Sequence, residues 1–143
     1  MFHTILLEEL LNQVLQAAAA PSITGPFVIS LHTGAPGTTR ANEVGTGVWT
    51  NYVRQTLVRS GAGFDVATDD GAGGRESLSA ALVDFGTAAV TGTAPVISHY
   101  EVWDSAGSPR RIFGDTLPSP MTINNGNPVS VPIGDIVAAF IPV

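Results

Sequence analysis

Phe27-Val28-Ile29-Ser30-Leu31-His32 sets three large apolar side chains, Phe27, Ile29 and Leu31, on alternate residues. An extended chain turns alternate residues to opposite faces, so this is the pattern of a strand with one face on a core. The same texture runs downstream. Tyr52 to Val58 alternates, with Val53 and Leu57 on one face and Arg54 and Thr56 on the other. Ala80 to Phe85 and Ala88 to Thr91 read as strands on either side of Gly86. In Ile97 to Asp104, the residues Ile97, His99, Glu101 and Trp103 oppose Ser98, Tyr100 and Val102, and Arg111 to Leu117 follows as a further strand. Gly34-Ala35-Pro36-Gly37 and Ser105 to Pro109 are turn chemistry, and residues 60–77 form the longest loop. Asn124-Asn125-Gly126-Asn127 is the clearest hairpin signal, because Asn-Gly favours the positive φ values of a type I′ turn. Val129, Val131 and Ile133 then read as a strand, and Ile136 to Val143 closes the domain. Short apolar runs punctuated by Ser, Thr, Gly and Pro predict an all-β antiparallel sandwich or barrel.

Upstream the period changes. Leu6, Leu7, Leu10, Leu11, Val14, Leu15 and Ala18 recur at three- and four-residue spacing, and Glu8, Glu9, Asn12, Gln13 and Gln16 fill the other face. Thr4 is an N-cap, the two glutamates lie near the positive end of the helix dipole, and Pro21 ends the run. The expectation is one amphipathic helix over 4–20 and a β-sandwich over 23–143, in a single domain spanning 1–143. A helix this short is marginal alone, so its stripe must dock on its own sandwich or on a neighbouring subunit.

Composition narrows the partners. The 143 residues are 44% hydrophobic and only 13% charged, which suits a folded chain that buries surface in an assembly. Net charge is −6, with six Lys+Arg, all of them arginine. That is too few cations for a phosphate-binding surface or for an anionic membrane, so neither nucleic acid nor membrane is expected as a partner. No cysteine is present, which removes disulfides and thiolate chemistry. The N-terminus has no basic residue ahead of Ile5 to Leu7 and meets Glu8-Glu9 directly, which argues against an export signal.

Catalytic and metal motifs are missing. His3, His32 and His99 show no ligand spacing, and Asp65 to Glu76 fails as a calcium loop because Asp70 stands where its glycine belongs. No G-x-S-x-G, P-loop or dinucleotide fingerprint occurs. The reading is therefore non-enzymatic, with no cofactor and no metal. Trp49 and Trp103 are candidate glycan contacts, set against the commoner role of such rings in a core or a subunit contact. Leu6, Leu7, Leu10, Leu11 and Val14, with Arg110 and Arg111, are the candidate assembly contacts, arginine forks being suited to interface carboxylates.

Four segments carry a resemblance: Leu6 to Val14; Ile29-Ser30-Leu31-His32-Thr33-Gly34-Ala35-Pro36-Gly37; Ala41-Asn42-Glu43-Val44 through Asn51-Tyr52-Val53-Arg54-Gln55; and His99-Tyr100-Glu101-Val102-Trp103-Asp104-Ser105-Ala106-Gly107 with Ile123 to Pro128. In order and spacing they resemble small virion proteins of tailed bacteriophages, of the kind labelled tail fibre or minor structural proteins. The resemblance implies a jelly-roll-like sandwich that assembles into the particle, made in the host cytoplasm and located in the virion. It implies other virion proteins as partners, and the low charge content adds a homo-oligomer. A tail position is favoured, capsid decoration is the alternative, and a receptor-recognition module that binds host surface glycan is the second alternative.

Overall fold

The computed structural model describes residues 12, 13, 15, 23, 25–39, 41–71, 74–107 and 109–140. These contain strands β1 (Phe27–His32), β2 (Gln55–Leu57), β3 (Thr68–Asp69), β4 (Arg75–Leu78), β5 (Val83–Thr87), β6 (Val96–Trp103), β7 (Arg111–Thr122), β8 (Pro128–Val131) and β9 (Val137–Phe140). All named pairings are antiparallel, so the described chain is all-β. The sheets have the orders β2-β1-β6-β7, β3-β4-β9 and β5-β8. The helix expected over 4–20 lies outside the described residues apart from Asn12, Gln13 and Leu15, and Leu6, Leu7, Leu10, Leu11 and Val14 lie outside with it.

β1 sits inside the four-stranded sheet, with Ile29 opposite Val102 and Leu31 opposite Tyr100 on β6. These four side chains are buried and join Trp49, Tyr52, Phe85, Val131 and Ile136 in a core drawn from more than one sheet. Tyr52 stacks on Phe85 with centroids 6.1 Å apart, and Trp49 lies against both rings. Burying an aliphatic side chain of this size is worth about 1.5–3 kcal/mol, so Ile29, Leu31 and Val102 each favour this arrangement.

The expectation of one buried face for β1 is too simple. Ser30 and His32, on the opposite face, are also 0% exposed. The reason is that residues beyond the strand fold back over that side and give the polar atoms partners.

β7 lies at the edge of the four-stranded sheet and shifts register against β6 twice. Between Val102↔Phe113 and Trp103↔Arg111 it gains one residue, so Ile112, Phe113 and Gly114 are buried in succession. Between Ile97↔Met121 and His99↔Thr116 it gains more, and Pro118 and Pro120 fall in this exposed bulge. A proline has no N–H to give a ladder, so an edge bulge is where a strand tolerates it.

Five other expectations are corrected. Val53 is 65% exposed while Leu57 is buried, because ordered pairing starts only at Gln55 and the chain before it is irregular. The 60–77 loop holds a hairpin of β3 and β4, closed by Asp69–Arg75 and by Asp70 Oδ1 accepting from the Gly74 amide. One strand, β5, runs through Gly86, whose positive φ and bulged register let the strand continue where a break was expected. Asn124 to Asn127 is a turn but not a hairpin: β7 leads in, yet β8 pairs with β5. Only Gly126 of its two central residues has positive φ, which excludes type I′ and fits type II. Ile133 lies beyond the end of β8 and is 63% exposed.

Candidate functional site

The polar face of β1 and β6 is the most distinctive constellation in the described residues. The register sets Ser30 opposite Glu101 and Val28 opposite Trp103, so Ser30, His32, Glu101 and Trp103 share one side of the sheet. All four are essentially without exposure. Trp103 Nε1 donates to Ser30 Oγ at 2.9 Å, and Ser30 Oγ lies 3.0 Å from His32 Nε2. His32 Nδ1 lies 3.0 Å from the Ala41 carbonyl, which can only accept, so Nδ1 carries a proton. The same His32 Nε2 is 3.3 Å from Glu101 Oε2.

Charge enters from both sides. Arg111 Nε stands 2.7 Å from Glu101 Oε1. Its N–H is not aligned for a hydrogen bond, so the attraction is mainly coulombic, in a place where water cannot screen it. Arg111 Nη1 also donates to the Gly37 carbonyl at 2.6 Å, tying the 33–42 segment to β7. Asn42, with φ of 63°, donates from Nδ2 to the Ala35 carbonyl and fixes the segment's own curl. Gly114 opposes Glu101, and a Cβ there would lie 2.7 Å from the Tyr100 carbonyl and 3.2 Å from Arg111 Nη2. Space for the buried ion pair thus depends on that glycine.

A second pair abuts the first. Arg54 grips Glu43 at both carboxylate oxygens, at 2.8 and 2.7 Å, and its guanidinium lies 5.6 Å from the Trp103 ring centroid. Burial by itself would raise the Glu43 carboxyl, but the Arg54 hydrogen bonds and charge, with help from His32 and Tyr52, hold it below the usual carboxylate range. Tyr52 OH accepts from the Leu31 amide at 2.9 Å and donates to Glu43 Oε1 at 3.4 Å. Asp104 accepts from the Arg110 amide at 2.7 Å and faces Arg110 Nε at 3.5 Å. Three carboxylates, Glu43, Glu101 and Asp104, are thereby matched with Arg54, Arg111 and Arg110.

Ser30, His32 and Glu101 are the residue types of a nucleophile, a base and an acid, but their arrangement is wrong for that chemistry. A triad needs the acid on one imidazole nitrogen and the nucleophile on the other. Here hydroxyl and carboxylate share Nε2, and Nδ1 is taken by a backbone carbonyl. The serine oxygen also receives the Trp103 N–H, and no member reaches solvent. What this network does is fix the 33–42 segment, β6 and the start of β7 to one another.

The candidate residues from sequence fall as follows. Trp103 is in the network, and Trp49 is in the core with its Nε1 donating to Asn51 Oδ1 at 2.8 Å. Neither indole offers a face to solvent. Arg110 and Arg111 are turned to carboxylates of their own chain. The acidic loop residues serve their hairpin: Asp69 accepts from the Gly71 amide and pairs with Arg75 at 2.8 Å. Among the described residues no group of three His, Asp or Glu side chains could hold a metal, and no helix is long and apolar enough to cross a membrane. Sequence reasoning did not single out Ser30, Glu43, Arg54, Glu101, Asp104 or Gly114 as a site. The signal was present in another form, because three of the segments carrying the resemblance meet in this network.

Comparison with known families places the chain. The family model described as "Podophage GP4 fiber I protein gp80" matches residues 1–139, and the chain belongs to that family, a phage tail-fibre type. No curated protein matches the chain.

Proposed function

We propose that this member of the podophage fibre family is a non-enzymatic structural protein of the phage particle, associated with the tail and acting through protein–protein contacts. The observation that carries the reading is the family match over residues 1–139. The physical character of the chain supports it. Charged residues are 13% of the sequence, and Leu82 and Ile133, flanking the paired strands β5 and β8, expose 53% and 63% of their surface. Apolar surface of that kind suits a subunit that is covered on assembly. The buried charge network spends stability on one fixed arrangement of the sheet and its covering segment, as a protein used for shape requires.

In this reading the strands form a jelly-roll-like sandwich, the subunit is a homo-oligomer, and the stripe Leu6, Leu7, Leu10, Leu11 and Val14 docks it on another virion protein. The test is incorporation of a Leu10→Asp/Val14→Asp variant into particles. Loss of incorporation by a variant that still folds supports the docking role, whereas normal incorporation overturns it.

A further inference from the structure

The chain has six asparagines, and only Asn125 is followed by glycine. Asn-Gly is the dipeptide most open to spontaneous deamidation, since glycine's bare backbone lets its nitrogen reach the preceding side chain. The Asn125-Gly126 turn is exposed to water, yet both groups that would react are engaged. The Gly126 N–H donates to the Ala88 carbonyl at 2.8 Å. Asn125 Oδ1 accepts from the Val90 amide at 3.0 Å, which anchors the side chain to the neighbouring segment. That segment is clipped in turn by Asn51, whose Oδ1 accepts from the Ala89 amide and whose Nδ2 donates to the Thr87 carbonyl, both at 2.8 Å.

We infer that Asn125 is a chemical-ageing site of this protein, and that the latch to Ala88 and Val90 sets how fast it reacts. The chemistry needs only water and base. Base removes the Gly126 amide proton, the nitrogen attacks Asn125 Cγ, and the tetrahedral adduct expels the side-chain nitrogen as ammonia. Water then opens the five-membered imide at either carbonyl to give aspartate or isoaspartate, so one amide and one water become one acid and one ammonia. Attack is blocked while the Gly126 proton is held by Ala88 and the side chain by Val90, so reaction waits on local opening of the turn. The isoaspartyl product carries an extra backbone carbon, which spoils the Gly126–Ala88 bond and frees the link between β7 and β8. A virion protein outside its host is not resynthesised, so this rate bears on how long a particle lasts.

The experiment follows Asn125 by peptide mass spectrometry during incubation in mildly alkaline buffer. It compares the folded full chain, the chain in denaturant, and a folded Asn51→Ala variant. The expected result is conversion at least about tenfold faster in denaturant than in the folded chain, with Asn51→Ala in between. Equal rates in folded and denatured chain, or a faster folded rate, would overturn the inference. A folded Asn51→Ala chain as slow as the parent would overturn the role of the latch. Should that variant not fold, the denaturant comparison still decides whether the fold protects Asn125.

Discussion

Arg111 places its Nε 2.7 Å from Oε1 of Glu101, a carboxylate with no exposed surface, and so supplies its nearest positive charge. Arg111→Ala leaves that buried carboxylate without its nearest cation. The expected cost is on the order of 3 kcal/mol, measured by urea unfolding. The double variant Glu101→Met/Arg111→Met removes both charges and recovers much of the loss. If Arg111→Ala is as stable as the parent, the ion pair does not hold the segments together as described.

Gly114 and Gly37 separate two reasons for needing glycine. A Cβ at Gly114 would lie 2.7 Å from the Tyr100 carbonyl and 3.1 Å from Glu101 Cγ, while Gly37 has φ of 58° with nothing within 4 Å of its would-be Cβ. Gly114→Ala must push backbone or the ion pair and is expected to cost about 1–3 kcal/mol. Gly37→Ala meets only the left-handed strain, about 1 kcal/mol. Thermal or urea unfolding of the two variants checks the order, and a larger loss at Gly37 would contradict it.

The Glu43–Arg54 pair predicts a shape for the acid limb of stability. The folded carboxyl titrates below its unfolded value. Its stabilisation is therefore complete above the unfolded value and is lost as pH falls through the folded one. The Glu43→Gln variant should be less stable at neutral pH, by no more than about 1 kcal/mol because the pair is partly exposed. That gap should close on acidification below the ordinary carboxylate range. A gap constant into strong acid would mean that ionisation of Glu43 is not its source.

The two tyrosines predict the alkaline limb. Burial pushes Tyr100 up to about 12, and burial raises Tyr52 further still. Protonated phenols thus stabilise the fold fully below their unfolded value, and that contribution is lost as pH climbs toward the folded one. Phenolate absorbance should stay silent through the ordinary tyrosine range and appear together with unfolding. Since the chain has only these two tyrosines, a smooth titration near the ordinary value with the fold intact would contradict their placement.

β1 and β6 were legible in the sequence because alternating apolar residues leave a strand no other way to bury them. Other strands were not. β3 and β4 read Thr68-Asp69 and Arg75-Glu76-Ser77-Leu78, with no apolar alternation, and are held by pairing to each other and to β9. The Asn125-Gly126 turn was visible, but local turn chemistry does not say which strand β8 will meet. The polar network was hidden for the same reason. Glu101 and Arg111 look like ordinary surface charges until register and a bulge bring them under Gly37, 74 residues from Arg111 in the chain. Trp103, read from sequence as a candidate glycan contact, lies buried on the polar face beside Ser30.

The proposal that this chain is a tail-associated structural protein is met head-on by gold-labelled antibody against it on purified phage particles. The predicted result is label on the tail of intact particles. Particles without label, when the lysate contains the chain, or label confined to the capsid, would contradict it.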